Sequence, residues 1–307
     1  MDEGGTGKAA VGFIGVGYMG RGMAGCLLRA GHPLQVKGNR NRDPVEALLA
    51  EGATEAATPR AMAEGCDVIH LCLSNSPQVE AVIRGEDGIL ASGRSGVTVI
   101  DTTTADPTST VALAAEMEAA GMTLVDAPLG RTPKEAAEGT LDAMVGASPE
   151  AFERVRPIIE TWAGNINHVG PVGSGHRMKL VMNFVSMGYA ALYSEALAMG
   201  VGAGLPAETI RRVLEGSRMS NGFMETFMRG AVGGEPDVHP FTIRNARKDV
   251  RYAANMAADA GVANLLGAAI LHSFTLAEAQ GRGDGYVPSL AGFVAGANGV
   301  DLEASGA

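Results

Sequence analysis

The stretch GFIGVGYMGRGMA, residues 12–24, joins an apolar strand-like run to the start of a helix. It contains the pattern G-x-G-x-x-G as Gly15, Gly17 and Gly20, in the strand-to-helix context that this pattern requires. In that context Gly15 permits a tight turn, Gly17 lets the backbone approach a pyrophosphate, and Gly20 lets helix and strand pack closely. The N-terminus of the helix then faces the phosphates. The sequence therefore predicts a dinucleotide-binding loop here.

The residues on either side of this loop extend the same pattern. Short apolar runs alternate with helical stretches of about 10 to 15 residues, which is typical of βαβ units in a parallel sheet with covered faces. The runs are AVGFIGV, PLQVKG, DVIHLCL, VTVID and TLVDAPL. The pattern of the first half therefore predicts an α/β, doubly wound domain of the Rossmann type.

The second half changes character, because from Arg177 onward long Ala/Met/Leu-rich helical periodicity replaces the strand-like runs. Residues 178–204 are apolar almost all round, which predicts a long, buried central helix of roughly 25 residues. Further helices are predicted at about 206–216, 221–230, 242–261 and 263–281. The glycine-rich turn at 170–175 gives the domain boundary, so we predict a Rossmann domain over 1–170 and an all-α domain over 171–307.

Composition excludes several classes of function. The formal net charge of −10 argues against a nucleic-acid partner, which needs a basic surface. Cys26, Cys66 and Cys72 show no metal-binding spacing and predict reduced, buried thiols without a metal site. The polar N-terminal segment lacks the features of a signal peptide, and no apolar run of about 18 residues follows. We therefore expect a cytoplasmic protein without a membrane or nucleic-acid partner.

The end of the second predicted strand bears on which nucleotide binds. A site selective for NAD usually offers an acidic side chain to the adenosine ribose at this point. Here VKGNRNRD has no acid before Asp43, and Asn39, Arg40 and Arg42 offer donors to a 2′-phosphate instead. We therefore favour NADP(H) over NAD(H), although ordinary solvated turn residues would give the same letters.

Five motifs, in order along the chain, point to a family. They are GFIGVGYMGRGMA at 12–24, DTTTADP at 101–107, DAPLGRTPKEAAEGTLDAMVG at 126–146, GSGHRMKLVMN at 173–183 and ARKDVRYA at 246–253. Together they resemble the β-hydroxyacid dehydrogenases, the family of 3-hydroxyisobutyrate dehydrogenase. The resemblance implies a helical domain that binds substrate and makes dimer or tetramer contacts. It also implies hydride transfer between a nicotinamide and a small 3-hydroxy acid or its semialdehyde.

Lys179 and Asn183 are the predicted catalytic residues. They lie four residues apart on one helix, so their side chains share a face and can converge on one small molecule. An ammonium within hydrogen-bond reach can stabilise and protonate the oxygen of an aldehyde that accepts hydride. By resemblance, Lys179 matches the family's catalytic lysine and Asn183 its supporting asparagine, while Met182 replaces a further asparagine that is common in the family.

The remaining cofactor and substrate residues follow from the motifs and from the resemblance. The predicted cofactor-binding residues are Gly15, Val16, Gly17, Tyr18, Met19, Gly20, Asn39, Arg40, Leu73, Ser74, Thr104 and Lys248. The predicted substrate-binding residues are Thr103, Gly130, Arg131, Thr132 and Asn183. His176 reads best as a polar residue at a helix entry, and Asn221 is a weaker candidate for substrate contact.

Arg131 points to the charge of the substrate. The family loop commonly reads D-A-P-V-S-G-G, and here Gly130, Arg131 and Thr132 replace its Ser-Gly-Gly. An arginine fork suits strongly charged oxyanions, whereas hydroxyl and backbone donors suffice for a carboxylate. The G-R-T loop resembles that of the sulfolactaldehyde reductases of this family, which implies that Arg131, Thr132 and Asn183 hold a sulfonate.

Several alternatives stay open at this point. Arg131 would have an ordinary local role if it capped a helix or paired with an acid such as Glu135. Other semialdehydes, namely tartronate, methylmalonate or succinate semialdehyde, fit the family equally well, and 3-hydroxyisobutyrate is a further alternative. Imine reduction and a non-catalytic, cofactor-binding regulator are the other functions considered, and the presence of Lys179 argues against both.

Overall fold

A computed structural model describes residues 7–303 of the chain. The chain divides into two compact units, Met1–Lys179 and Leu180–Ala307. The division falls inside the longest helix, and the predicted boundary between residues 170 and 171 lies at the end of the last strand, just before that helix.

The first unit contains a sheet of nine strands among the described residues. The strands are β1 (Val11–Ile14), β2 (Leu34–Lys37), β3 (Thr54–Glu55), β4 (Val68–Leu71), β5 (Thr98–Asp101), β6 (Thr123–Asp126), β7 (Leu129–Gly130), β8 (Leu141–Gly146) and β9 (Ala163–Gly170). Their order is β3-β2-β1-β4-β5-β6-β8-β7, with β9 paired to β8. The first six strands are parallel, whereas β8 is antiparallel to β6 and β7 and parallel to β9.

Helices cover both faces of this sheet, as a doubly wound fold requires. They are α1 (Tyr18–Arg29), α2 (Asp43–Ala50), α3 (Pro59–Gly65), α4 (Ser76–Arg84), α5 (Pro107–Ala119), α6 (Pro133–Glu138) and α7 (Pro149–Ile159). One apolar cluster joins Val11 and Phe13 to α1, α2 and α7. A second joins Ile14 and Ile69 to α3, α4 and α5. The predicted Rossmann-type architecture is confirmed.

The second unit is helical, as predicted. Its elements are α8 (Ser174–Gly202), which begins in the first unit, α9 (Ala207–Glu215), α10 (Gly222–Ala231), α11 (Ile243–Asp259), α12 (Leu265–Ala277) and α13 (Leu290–Ala297). Its core packs Met187, Leu197, Phe227, Val250 and Phe274 together. Among the described residues, no helix combines the length and the hydropathy needed to cross a bilayer.

The prediction that α8 is buried all round is wrong. Leu180, Met187 and Leu197 are buried, but the opposite side of the helix is apolar and exposed. We call this side the outer face of α8; it comprises Val181, Met182, Val185, Tyr189, Leu192 and Met199. All-round apolarity in the sequence therefore reflects two distinct faces, one in the core and one open to solvent.

Candidate active site

The glycine loop has the geometry that its sequence predicts. Gly15 has φ +98°, and a Cβ there would lie 2.2 Å from the carbonyl oxygen of Cys72. A Cβ on Gly20 would lie 2.0 Å from the carbonyl oxygen of Gly15. Around Gly17, by contrast, no other described residue beyond its chain neighbours and its own helix lies within 4 Å of the Cβ position, so the backbone is open to a ligand.

The N-terminus of α1 also has the features of an anion-binding site. Within residues 7–303 no side chain caps its N-terminus, and its first turn contains no acidic residue. The first N–H groups of the helix are therefore unopposed donors at the positive end of the helix dipole. Tyr18 is almost fully exposed beside them. Gly15 to Gly20 thus fit the pyrophosphate of a dinucleotide.

Arg40 and Arg42, which follow β2, have different surroundings. Arg42 donates to Glu55 at 2.6 Å and to Glu46 at 2.8 Å, so it is held by two carboxylates. Asn39 and Arg40 are exposed, and Arg40 forms no ion pair with a residue in the described range 7–303. Of the two arginines, only Arg40 remains a candidate for a 2′-phosphate.

The parallel strands bring the next predicted residues to the same sheet edge. Ile14, Leu71, Asp101 and Asp126 form one row across β1, β4, β5 and β6, and each ends its strand. The segments that follow them therefore emerge side by side: the glycine loop, Leu73 and Ser74, Thr103 and Thr104, and the 127–132 loop. This edge is where ligands bind in doubly wound sheets.

Thr103 links two of these segments. Its hydroxyl oxygen accepts a hydrogen bond from the N–H of Leu73 at 3.0 Å. The N–H of Thr103 donates to the Asp101 carboxylate at 2.9 Å. Thr103 is buried whereas Thr104 is partly exposed. The threonine run therefore ties β5 to the loop after β4.

Arg131 has an unusual backbone. Its φ of +77° makes it the one non-glycine residue of the described range in the left-handed region. That region is costly for a residue with a Cβ and tends to persist at functional sites. The Nε of Arg131 donates to the Asp142 carboxylate at 3.0 Å. Arg131 therefore pairs with an acid, as the alternative interpretation of the sequence held, but the partner is Asp142 on β8 and not Glu135.

Thr132 and Glu135 instead form a capping box. Thr132 is the N-cap of α6, its hydroxyl accepts from the N–H of Lys134, and the Glu135 carboxylate accepts from the N–H of Thr132. This arrangement fixes the entry of α6. The Thr132 hydroxyl is thus already engaged, and its predicted contact with substrate stays a prediction.

Asp126, at the end of β6, forms hydrogen bonds to the backbone at the start of α8. This fully buried carboxylate accepts from the N–H of Gly173 at 2.6 Å and from the N–H of His176 at 2.8 Å. A Cβ on Gly175 would meet the Met144 carbonyl oxygen at 2.3 Å, so glycine is needed there. A carboxylate at a helix N-terminus stabilises the helix through its dipole and its free N–H groups.

His176 lies in the same buried cluster. Its Nδ1 is 2.7 Å from the hydroxyl of Thr110, and its Nε2 is 4.0 Å from Asp101. Burial raises the pKa of the Asp101 carboxyl, and the charge of His176 opposes this rise. His176 is therefore part of the polar anchor at the entry to α8.

Lys179 lies three residues after His176 on α8 and is partly buried. Asn183 follows one turn later and is 8% exposed, whereas the intervening Met182 is 43% exposed. Met182 is therefore on a different face of the helix from Asn183, as the helical spacing predicts.

Asp249 organises the predicted residues of the second unit. It accepts from the Nδ2 of Asn183 at 2.6 Å, and its other oxygen lies 3.1 Å from the Nζ of Lys248. Lys248 also lies over the ring of Tyr252. Asn221 caps α10 and donates to the Tyr193 hydroxyl, so its side chain already has a structural role.

Sequence reasoning missed the roles of three acidic anchors, namely Asp126, Asp142 and Asp249, whereas His176 is the polar residue at a helix entry that the sequence predicted. Asp126 and His176 stand within quoted motifs, and the Lys248–Asp249 pair was a visible signal for Asp249. Asp142 also stands in a quoted motif, but its contact with Arg131 depends on the antiparallel pairing of β7 and β8, which α6 separates in the chain.

These features define a class of protein. A Rossmann fold, a glycine loop open to a pyrophosphate and a lysine in the second turn of the long helix that follows the last strand describe a nicotinamide-dependent dehydrogenase or reductase. Residues 10–170 match the family model of the NAD binding domain of 6-phosphogluconate dehydrogenase. Residues 173–291 match that of the NAD-binding domain of NADP-dependent 3-hydroxyisobutyrate dehydrogenase. The chain belongs to the 3-hydroxyisobutyrate dehydrogenase family and is a NAD(P)-dependent β-hydroxyacid dehydrogenase or reductase.

Named relatives agree with this assignment. The chain is 35% identical to the 3-sulfolactaldehyde reductase of Escherichia coli over 277 residues, which cover 90% of this chain and 92% of the relative. It is 32% identical to the 3-hydroxyisobutyrate dehydrogenase of Pseudomonas aeruginosa, with 90% and 94% covered. The crystal structure of 3-hydroxyisobutyrate dehydrogenase from Salmonella typhimurium matches with a TM-score of 0.81 at 27% identity, covering 93% of this chain and all of that one.

Proposed function

We propose that this enzyme reduces a small anionic semialdehyde with NADPH, and that 3-sulfolactaldehyde is its substrate. The observation that carries the proposal is Arg131, an arginine held in a left-handed conformation where the family commonly has glycine. The likeness to the 3-sulfolactaldehyde reductase of E. coli supports it independently.

The proposed chemistry assigns one role to each group. When bound, the nicotinamide supplies a hydride to the carbonyl carbon of the substrate. Lys179 donates a proton to the carbonyl oxygen as negative charge develops there, so the aldehyde becomes a primary alcohol. Asn183, fixed by Asp249, orients the substrate beside Lys179. Arg131 binds the sulfonate through charge-assisted hydrogen bonds.

The preference for NADPH rests on the end of β2. Exposed Arg40 and Asn39 offer donors there, and the Arg42 guanidinium that could compete is paired with Glu46 and Glu55. The alternative, NAD(H), would need an acidic side chain for the ribose, and Glu55 is already occupied by Arg42.

We also propose that the enzyme is a homo-oligomer. The outer face of α8 exposes Leu192 and Met199, which are 60% and 74% accessible, beside an open groove of about 490 Å³. Contiguous exposed apolar surface of this kind is typical of protein interfaces. A second copy of the chain is the partner that the family resemblance implies.

The test of the substrate is a panel of semialdehydes with NADPH or NADH. Wild-type protein, Arg131→Gly and Lys179→Ala would be compared on 3-sulfolactaldehyde and on tartronate, methylmalonate and succinate semialdehydes. Arg156→Ala is a matched control, because Arg156 is as exposed as Arg131 and also donates through Nε to an acid, Glu160.

A preference for the sulfonate that collapses in Arg131→Gly, but survives in Arg156→Ala, would support the proposal. Lys179→Ala is expected to abolish turnover of every substrate. Equal turnover of carboxylate semialdehydes by wild type and Arg131→Gly would reject the sulfonate and return the substrate to 3-hydroxyisobutyrate or another carboxylate semialdehyde.

A further inference from the structure

Arg131 is held in place from both its backbone and its side chain. Its left-handed φ fixes the direction in which the side chain leaves the loop. Its Nε donates to the Oδ2 of Asp142 at 3.0 Å. Within residues 7–303, the hydrogen bonds of Arg131 involve Nε alone, so both terminal nitrogens of the fork remain available.

The strand pairing explains how Asp142 reaches Arg131. Gly130 on β7 pairs with Asp142 on the antiparallel strand β8. A Cβ on Gly130 would lie 3.2 Å from the Cβ of Asp142 and 3.4 Å from its Oδ2. Gly130 therefore leaves the space that lets the carboxylate lie against the next residue. The positions of Gly130, Arg131 and Asp142 are thus linked.

The contact through Nε has a chemical consequence. An arginine guanidinium carries five N–H donors in a rigid plane, and the four on its terminal nitrogens can address two oxygens of one anion. A carboxylate bonded to Nε fixes the plane of the fork without occupying those four donors. The other Asp142 oxygen, Oδ1, is buried without a hydrogen-bond partner in the described part of the chain. The Asp142 carboxylate therefore has no other hydrogen bond within this range that would explain its orientation.

We propose that Asp142 is a positioning residue that holds the Arg131 fork ready for the sulfonate of the substrate. This inference deepens the proposed function and rests on it for the identity of the anion. The opposite interpretation is that Asp142 competes with the anion for Arg131. The two differ in sign: loss of the Asp142 charge weakens anion binding if Asp142 positions Arg131, and strengthens it if Asp142 competes.

The experiment measures binding of an inert anion and turnover in parallel. Methanesulfonate, with acetate for comparison, is titrated against the NADPH complex by calorimetry. The variants are Asp142→Asn, Asp142→Ala, Arg131→Gly and the double variant Asp142→Asn/Arg131→Gly. Glu160→Gln is the control, because it removes the acid that pairs with the Nε of Arg156, an arginine as exposed as Arg131. The values of kcat and KM for 3-sulfolactaldehyde are measured on the same proteins.

Asp142→Asn is expected to weaken methanesulfonate binding and to raise KM by roughly tenfold, with little change in kcat, because only ground-state orientation is lost. In the Arg131→Gly background the same change should have no further effect. Asp142→Ala removes the acceptor altogether, so it should weaken binding at least as much, even if the amide oxygen introduced by Asp142→Asn still accepts from Nε. Glu160→Gln should match wild type.

Tighter or unchanged methanesulfonate binding by both Asp142 variants would overturn the positioning role. So would an Asp142 effect that persists without Arg131. If wild type binds methanesulfonate, the Asp142 variants bind it more weakly and no semialdehyde is reduced, the proposed function fails while the role of Asp142 stands. If it reduces carboxylate semialdehydes and does not bind methanesulfonate, the dehydrogenase assignment stands and the positioning role is rejected.

Discussion

Arg40 and Arg42 lie two residues apart, but of the two only Arg42 is paired with acids in the described range, which makes the choice of nucleotide testable one side chain at a time. Arg42 is held by Glu46 and Glu55. Arg40→Ala should lower affinity for NADPH by roughly tenfold and leave NADH unchanged, because only NADPH carries the 2′-phosphate. Titration of nicotinamide fluorescence measures both affinities.

Arg42→Ala is the control for this substitution. It is expected to change neither affinity strongly, since its guanidinium is already paired. Equal loss of NADH and NADPH binding in Arg40→Ala would contradict a role in nucleotide choice and indicate a general effect on the loop.

His70 provides a pH-dependent term in stability. It is fully buried, stacks on Phe13 and accepts a hydrogen bond from the indole of Trp162. Burial lowers the pKa of His70 to about 3. The unfolded chain binds this proton near pH 6.5 and the folded chain does not, so stability falls as pH falls from about 6.5 towards 3. At pH 5 the loss attributable to His70 is about 2 kcal/mol.

Urea unfolding followed by the fluorescence of Trp162, the single tryptophan, measures this loss. His70→Asn should reduce the difference in unfolding free energy between pH 7.5 and pH 5, even if it is less stable at both. The exposed His272 provides the control, His272→Asn, which should keep the wild-type difference. An unchanged difference in His70→Asn would show that other groups produce it.

The sequence predicted those residues whose role depends on their immediate neighbours. Gly15 and Gly20 were predictable because a strand, a tight turn and a helix in succession leave no room for a Cβ. Asp142 was not, because its contact with Arg131 depends on the register of β7 and β8, which local pattern does not specify. Asp126 stood in a quoted motif, yet its bonds to residues 47 and 50 positions later required the fold.

At the level of elements, the entry to α8 connects the sheet to the proposed catalytic lysine. Asp126→Asn would place an amide donor against the N–H of Gly173 or His176, so unfolding free energy should fall by about 1–3 kcal/mol. Displacement of the first turn of α8 should lower kcat by roughly tenfold or more, because small misplacements of catalytic groups are costly. The affinity of Asp126→Asn for the cofactor should equal that of the wild type. Urea unfolding, kcat and nicotinamide fluorescence measure the three quantities.

Asp106→Asn is the matched control for that experiment, since Asp106 caps α5 and asparagine caps as well as aspartate. It should cost little stability and leave kcat unchanged. Loss of stability in Asp126→Asn with full kcat would mean that Asp126 holds the fold but does not position Lys179.

Strand β9 and helix α13 escaped sequence analysis because neither has a regular pattern of apolar residues. Strand β9 reads AGNINHVG and is mostly exposed, because it pairs with β8 alone and lies beyond the covered sheet. Such a strand has neither the apolar run of a buried parallel strand nor a clean alternation. Helix α13 is only eight residues long, and its small, apolar sequence gives no helical stripe. The longer and regularly patterned helix α11 was predicted at 242–261, close to its observed bounds of Ile243–Asp259.

At the level of the whole molecule, the outer face of α8 makes the proposed oligomeric state testable. Leu192→Glu/Met199→Glu introduces two charges at its most exposed positions, where the isolated chain should tolerate them. If this face joins two copies, burial of unpaired charge should disrupt the assembly. Light scattering coupled to gel filtration should then give a mass near the 31.4 kDa of one chain, against a multiple of it for wild type.

Val213→Glu is the control, because Val213 on α9 is as exposed as these residues and lies outside the outer face of α8. It should keep the wild-type mass. A monomeric wild type would reject the proposed homo-oligomer, and an unchanged assembly in the double variant would place the interface on another surface. Full kcat in a monomeric double variant would show that the proposed site is complete within one chain, whereas lost kcat with intact fold would show that it depends on the second copy.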